Sequence, residues 1–496
     1  MSFFSTRGGS CVTASQAILR GLAEDGGLYV PAMFPRLEQQ EITNLSHLSY
    51  ADRARKILML YLEDFTSAEV GQATAAAYGA DRFDDPAVAP VRRLDETTWA
   101  LELFHGPTLA FKDFALQLLP HLTTLSAAKN GEKREVAILV ATSGDTGKAA
   151  LEGFRDVPGT SCTVFYPLDG VSDVQRLQMV TTGGANTRVI AVRGNFDDAQ
   201  TGVKELFSSP EFREEMNQRG KVLSSANSIN FGRLVPQIVY YFSAYADLVA
   251  SGAVRSGEQV NFCVPTGNFG DILAGYYARE MGLPVGRLIC ASNRNNVLTD
   301  FFRTGIYSTH RVFFKTISPS MDILVSSNLE RLLYEAADRD GDLVKTWMRL
   351  LKDSGSYSIG EQRMEWLGSV FWGGCADDVE SLREIGNRFR QDEYLMDPHT
   401  AVASAVLRQY RQQTGDAAPT VIVSTASPYK FARDVLAGMT GQATAGMDAF
   451  ACSEELEKRS GVPMPAQVRN LRSLPVRHRT ECDPAGMGRA VINAFE

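Results

Sequence analysis

The chain has 496 residues, 44% of them hydrophobic and 22% charged, with a formal net charge of -8 and seven cysteines. That length exceeds what one hydrophobic core organises, so two or three domains are expected, and the acidic balance argues against nucleic acid as the main partner. The odd, scattered cysteines show no CxxC or paired Cys/His spacing, which excludes a disulfide framework and a zinc site of that kind. No apolar run reaches membrane-spanning length, and the opening MSFFSTRGG lacks a charged segment followed by an apolar one, so a cytoplasmic protein without a membrane partner is expected.

In chain order, residues 46–65 carry apolar side chains at helical spacing and the Ala-rich run 68–78 continues in kind, with Gly26, Gly27, Pro31 and Pro35 as early breakers. After the DDP and AP breakers at 84–90 the pattern changes. Strands are predicted at 136–141, 162–166, 187–192, 259–264, 287–291 and 420–423. Helices are predicted at 147–154, 196–207 (capped by Asn195) and 271–281. Strand, loop and helix repeated this way give an α/β fold: two parallel-sheet layers with helices on both faces, plus a mainly helical N-terminal segment. The expected division is 1–95, 96–235 and 236–496. Residues 301–390 read as helical and carry no chemical motif. Arg469, Arg472, Arg477 and Arg479 make the late chain locally basic and read as solvated surface.

Several segments carry chemistry. In LELFHGPTLAFKDFALQ (101–117), Lys112 stands between Phe111 and Phe114 beside Asp113. Burial among aromatics depresses a lysine pKa and suits it to Schiff-base formation and proton transfer. PTGNFGD (265–271) joins a strand to a helix, so its backbone N–H groups form an anion site; Gly267 and Gly270 permit close approach and positive φ, and Asn268 adds donors. TSGDTGK (142–148) is a second such turn. It fails the Walker pattern at Thr142 and Ala149, and suits a carboxylate. SANSINFGR (225–233) gathers Asn227, Ser228, Asn230 and Arg233, either as a capped helix start or as donors to a phosphate. Thr425 follows the strand TVIV, at the end where α/β sheets bind ligands. His105 and His399 lie in turn-like contexts and read as structural, and Asp397-Pro398 starts a helix.

These blocks, with FFSTRG (3–8), GLAEDGGLYVP (21–31), MDPHTAV (396–402) and STASPYKF (424–431), run in an order that resembles the threonine synthases. These are pyridoxal-phosphate enzymes of fold type II in the tryptophan-synthase-β-like superfamily. The resemblance implies pyridoxal 5'-phosphate as cofactor and Lys112 as its covalent and catalytic lysine. It implies cofactor binding by Gly267, Asn268, Phe269, Asp271 and Thr425, the last against the pyridine nitrogen. Substrate contacts are implied for Ser143, Asp145 and Thr146 at the carboxylate and for Asn227, Ser228 and Arg233 at the phosphate. No metal is implied. The lysine and substrate loops fall in the smaller α/β domain and the phosphate loop in the larger. The implied reaction, that of a carbon–oxygen lyase acting on phosphates, turns O-phospho-L-homoserine and water into L-threonine and phosphate by γ-elimination and β-addition of water. A related phospholyase giving a keto acid, ammonia and phosphate is the alternative. Two positions depart from the common pattern, Ser427 for His and Tyr429 for a small residue, and Asp145 stands where related enzymes often carry Asn against the ring oxygen.

Overall fold

The computed structural model describes residues 1–142, 144–168, 170–444 and 446–494, residue 197 for its backbone only. Two sheets organise it. The larger has six strands in the order Phe371–Cys375, Val285–Ser292, Val260–Pro265, Thr420–Ser424, Thr98–Glu102 and Val91–Arg93. All its pairings are parallel except the last, where Val91–Arg93 runs antiparallel at the edge. The smaller has five parallel strands in the order Thr480–Cys482, Thr187–Val192, Thr160–Pro167, Glu135–Ala141 and Lys221–Ser224.

Alternating side chains explain the layering. Phe262 and Val264 enter one core while Cys263 enters another; Val136, Ile138 and Val140 split in the same way from Ala137, Leu139 and Ala141. Each sheet is therefore apolar on both faces and needs helices on both, the condition for parallel sheets. The helix Phe231–Ala250 is the most deeply placed. It is buried around nearly its whole circumference, from Phe231 through Ala246, so it belongs between layers. Among the described residues no helix is long and apolar enough to cross a membrane.

The N-terminal part is helical, with a short antiparallel pair, Phe3–Ser5 and Tyr29–Pro31. The helix expected over 46–65 is confined to Tyr50–Met59, because the Ser49 side chain accepts the Asp52 N–H and starts it there. A capping box, Thr66 with Glu69, opens Ser67–Ala77. Asn195 and Asp397 cap the helices that follow them, as the sequence predicts. The sheets do not follow linear divisions at 96 and 236: Thr98–Glu102 belongs to the six-stranded sheet, and Thr480–Cys482 returns to the five-stranded one. Nor is 301–390 wholly helical. It contributes the pair Ile306–Ser308 and Ser356–Ser358, and the edge strand Phe371–Cys375. Gly373 in that strand lies against the Thr299 backbone, where a Cβ would find Cα at 3.1 Å, so the helix Val297–Thr304 packs closely on it.

One close contact positions the site. Gly153, in the helix Asp145–Phe154, lies directly against the Leu116 carbonyl of the short helix Lys112–Leu116. A methyl group there would collide with backbone, so Gly153→Ala should lower stability by about 1–3 kcal/mol through overpacking. Urea unfolding measures this, and an unchanged midpoint would show that the two helices can separate without cost.

Candidate active site

Two strands, one from each sheet, run into helix starts that open on one cavity of about 1010 Å³. Glu135–Ala141 leads through Thr142, whose hydroxyl oxygen accepts the Gly144 and Gly147 N–H groups at 2.9 Å each, to the helix Asp145–Phe154. Val260–Pro265 leads through 266–269 to the helix Gly270–Glu280. The positive φ in that second loop falls on Phe269 (62°), not on Gly267 or Gly270 as the sequence suggests. The Phe269 ring is buried against Phe302 and Phe371, which secures the unusual backbone. Gly267 is needed for space instead: a Cβ would stand 2.5 Å from the Ser320 carbonyl oxygen.

The loop is braced from behind. Ser326 donates to the Gly267 carbonyl at 2.8 Å, and Asn328 donates to the Asn268 carbonyl from its backbone (3.1 Å) and side chain (3.0 Å). Fully buried Arg331 donates to Asn328 Oδ1, to the Tyr29 carbonyl at 2.9 Å and to the Ile229 carbonyl at 2.7 Å. The first N–H groups of Gly270–Glu280 are thereby held toward the cavity with the helix dipole behind them.

Lys112 begins the helix Lys112–Leu116, its Nζ 3.9 Å from the Phe111 ring centre. The segment is fixed to the large sheet by the Phe111 N–H donating to the Thr425 carbonyl at 2.9 Å and the Ser427 N–H donating to the Leu109 carbonyl at 3.0 Å. Burial and the nearby Arg233 cation pull the Lys112 amine down to about 8, against the opposing charges of Asp145 and Asp271. Thr425 lines the same cavity directly after Thr420–Ser424.

Arg233, one turn into Phe231–Ala250, is buried and lines the cavity too; burial lowers it to about 10. Its Nη1 donates to the Ala226 carbonyl, while its Nε is buried without a partner among the described residues, as are Asn227 Oδ1 and Asp271 Oδ2. Buried polar atoms of this kind carry a desolvation cost unless a ligand completes them. Asn230, by contrast, caps the helix: its Oδ1 accepts the Gly232 N–H and its amide donates to the Ile18 and Ser225 carbonyls.

The carboxylates are committed elsewhere. Asp271 Oδ1 accepts from the Tyr240 and Tyr241 hydroxyls at 2.6 and 2.8 Å, and burial pushes its carboxyl up to about 6 against their pull. Asp145 pairs with Lys430 at 2.8 Å and accepts from Gln175 at 3.1 Å. Burial alone would raise Asp145; Lys430, Gln175 and the charge of His399 outweigh it and hold the carboxyl at about 2.

Lys112, Asp145, Thr146, Asn227, Ser228, Arg233, Gly267, Asn268, Phe269, Asp271 and Thr425 all line this one cavity; Ser143 lies outside the described residues. Sequence reasoning set His399 aside, yet it lines the cavity, its Nδ1 2.7 Å from Asp397 Oδ1 and its Nε2 accepting the Ser320 N–H at 3.2 Å. Lys430 was passed over as well. His399 lies within MDPHTAV and Lys430 within STASPYKF, where a His or Lys among otherwise apolar and small residues is the available signal. His105 lies between Asp84 and Glu102, which outweigh burial and raise it to about 9, a structural role.

The chain is similar to known proteins along most of its length. Residues 2–78 match the family described as threonine synthase N terminus, 86–351 pyridoxal-phosphate dependent enzyme, and 400–474 threonine synthase, C-terminal. The human protein threonine synthase-like 1 is 42% identical over 85% of the chain, which spans only 57% of that protein's length. Threonine synthase of Pseudomonas aeruginosa is 40% identical over 98% of the chain and 100% of its own. The crystal structure of PLP-bound threonine synthase from Brucella melitensis superposes with a TM-score of 0.87 at 37% identity, covering 100% of this chain and 99% of that one.

The proximity of the two cations has a measurable consequence. In cofactor-free protein Lys112 should label with an amine reagent along a titration centred at about 8, and Arg233→Met, by removing a neighbouring cation, should move that titration upward. Peptide mapping across pH reads both; an unmoved titration in the variant would mean that the guanidinium does not act on the amine.

Proposed function

The chain belongs to the threonine synthase family of pyridoxal-phosphate enzymes, and on that premise we propose that it converts O-phospho-L-homoserine and water to L-threonine and phosphate. The observation that carries the choice of substrate is a second anion site. Arg233, with Asn227 and Ser228, lines the cavity from the segment that leads into Phe231–Ala250, Ser228 lying beside Gly270, and the Arg233 guanidinium has no carboxylate partner among the described residues. One anion site serves the phosphate of a cofactor; a second is what a phosphorylated amino acid requires.

The residues fit pyridoxal 5'-phosphate. Lys112 offers the amine for the covalent link, Gly267, Asn268, Phe269 and Asp271 surround the phosphate position through the helix start, and Thr425 offers a neutral hydroxyl to the ring nitrogen. When bound, the cofactor supplies an electron sink for negative charge at the substrate carbons. Lys112, poised at about 8, can take up and return protons at Cα and Cβ near neutral pH. Arg233, Asn227 and Ser228 hold the phosphate as it leaves Cγ. The substrate carboxylate falls to the N–H groups at the start of Asp145–Phe154, with Thr146 and Ser143. Asp145 itself, ionised beside Lys430, repels a carboxylate and acts there as a fixed charge. A reducing cytoplasm suits the seven free cysteines.

The test is incubation of the purified, cofactor-loaded protein with O-phospho-L-homoserine. Threonine and phosphate should appear in equal amounts, and Lys112→Ala should abolish both by removing the amine. A keto acid and ammonia in place of threonine would overturn the reading in favour of a phospholyase.

Arg233→Ala should keep the cofactor bound yet weaken a phosphorylated ligand by about 1.5–3 kcal/mol, the range for a hydrogen bond to a charged group. Serine, which has no phosphate, should bind nearly as before. Spectral titration of the bound cofactor compares the two, and equal weakening would mean that Arg233 supports the fold and not the phosphate.

A further inference from the structure

A chain of hydrogen bonds joins the two sheet units beneath the cavity. Lys430 lies in the turn Pro428–Phe431, which follows the large-sheet strand Thr420–Ser424, and its side chain is wholly buried. Its ammonium donates to Asp145 Oδ1 and to the Thr108 carbonyl, each at 2.8 Å. Thr108 donates its N–H and its hydroxyl to the two oxygens of Asp113, the neighbour of Lys112, at 2.8 Å each. One ammonium thus connects the first residue of a small-sheet helix to the segment that carries the reactive lysine. Gln175 takes the same Asp145 oxygen, so Oδ1 is committed twice and Asp145 still borders the cavity.

A buried ion pair is not stabilising by default, because the desolvation of both partners offsets their attraction and a neutral pair of similar shape packs as well. What the ion pair adds is a fixed position for a charge. We propose that Lys430 is a positioning residue that ties the start of the Asp145–Phe154 helix to the Lys112 segment and keeps Asp145 as a fixed anion in the cavity wall, available to a cationic or hydrogen-bond-donating group of the bound reactant. The kinetic part of this inference rests on the threonine-forming reading above; the electrostatic part does not. The other charged groups acting on this site are Lys112 and His399, with Asp113 on the far side of Lys430.

The test compares wild type, Lys430→Met and the double variant Asp145→Asn/Lys430→Met. The first arm follows the thermal midpoint of cofactor-free protein as pH rises from about 5 to about 8. In the wild type Asp145 lies below the ordinary carboxylate range, so its contribution is lost only as pH falls through still more acid values and is constant across this window. Without Lys430 the buried carboxyl shifts upward, and stability should fall more steeply than in the wild type as pH climbs through the window; the double variant, which has no carboxyl at 145, should lose the part of that added slope that Asp145 carries and keep only what Asp113, also deprived of Lys430, contributes in both variants. In the second arm Lys430→Met should lose about 100-fold in kcat near neutral pH, with a new limb along which activity rises as Asp145 ionises, whereas the double variant should stay equally low without that limb.

Wild-type pH dependence in Lys430→Met in the first arm, or near-wild-type turnover in the double variant, would overturn the proposal. If the wild type makes no threonine, the reading of function fails while the stability arm still decides for or against the pair. Should Lys430→Met not fold while the double variant does, the unpaired carboxylate is the cause and the inference stands. If neither folds, Lys430 is needed for the fold alone and the inference falls.

Discussion

Two cations share one desolvated cavity, and neither Lys112 nor Arg233 has a carboxylate partner among the described residues. The rest of the site depends on that constraint. Isolated buried charges are costly, and each responds as physics requires, by moving toward its neutral form: the lysine to about 8, the arginine to about 10. Two carboxylates, Asp145 and Asp271, act on the lysine through their charge but form no ion pair with it among the described residues. Asp271 is bound by two tyrosine hydroxyls, and Asp145 by Lys430. The cavity is left electropositive in a protein of net charge -8, so it favours anions by its own field and not by the charge of the chain.

Secondary structure reinforces the sign of that field. The helices Asp145–Phe154 and Gly270–Glu280 both begin at the cavity, each just past the C-terminal end of a parallel strand, where open α/β sheets bind ligands. The N-terminal segment takes part in holding the second of them. Thr6 and Arg7 bind Glu330, and adjacent Arg331 reaches Tyr29, Ile229 and Asn328, the last of which holds the loop carbonyl of Asn268. A mostly helical segment, whose Arg20 and Glu24 also line the cavity, thus sets the geometry of the anion loop from behind.

Much of this was legible in the sequence, because strand–loop–helix punctuation is local. The runs at 136–141 and 260–264 are buried on both faces and read as strands without ambiguity; Asn195 and Asp397 declare their helices; and the residues named for the site line a single cavity wherever they are described. What stayed hidden is set by tertiary neighbours. Lys221–Ser224 and Thr480–Cys482 are too short to signal a strand and exist only because a sheet edge accepts them. Phe371–Cys375 hides its character behind two glycines, Gly373 required by packing against Val297–Thr304 and Gly374 by the Trp372 and Val406 side chains. The left-handed backbone at Phe269 is unfavourable for a bulky residue and is maintained by its ring contacts, so two flanking glycines misdirect the expectation. His399 and Lys430 looked ordinary because their meaning lies in partners hundreds of residues away or across a loop.

The site is therefore a seam and not a property of either sheet. The Lys112 segment is tied to the large sheet at Thr425 and Ser427, and to the small-sheet helix through Gly153 against Leu116 and through the Thr108–Lys430–Asp145 chain. Contacts made by backbone and by fully buried charge tolerate little sliding, since each loses its partner within a fraction of an ångström while apolar packing can slip. Arg233 is held differently: its guanidinium is bound to a single backbone carbonyl of its own segment, and its Nε to nothing among the described residues.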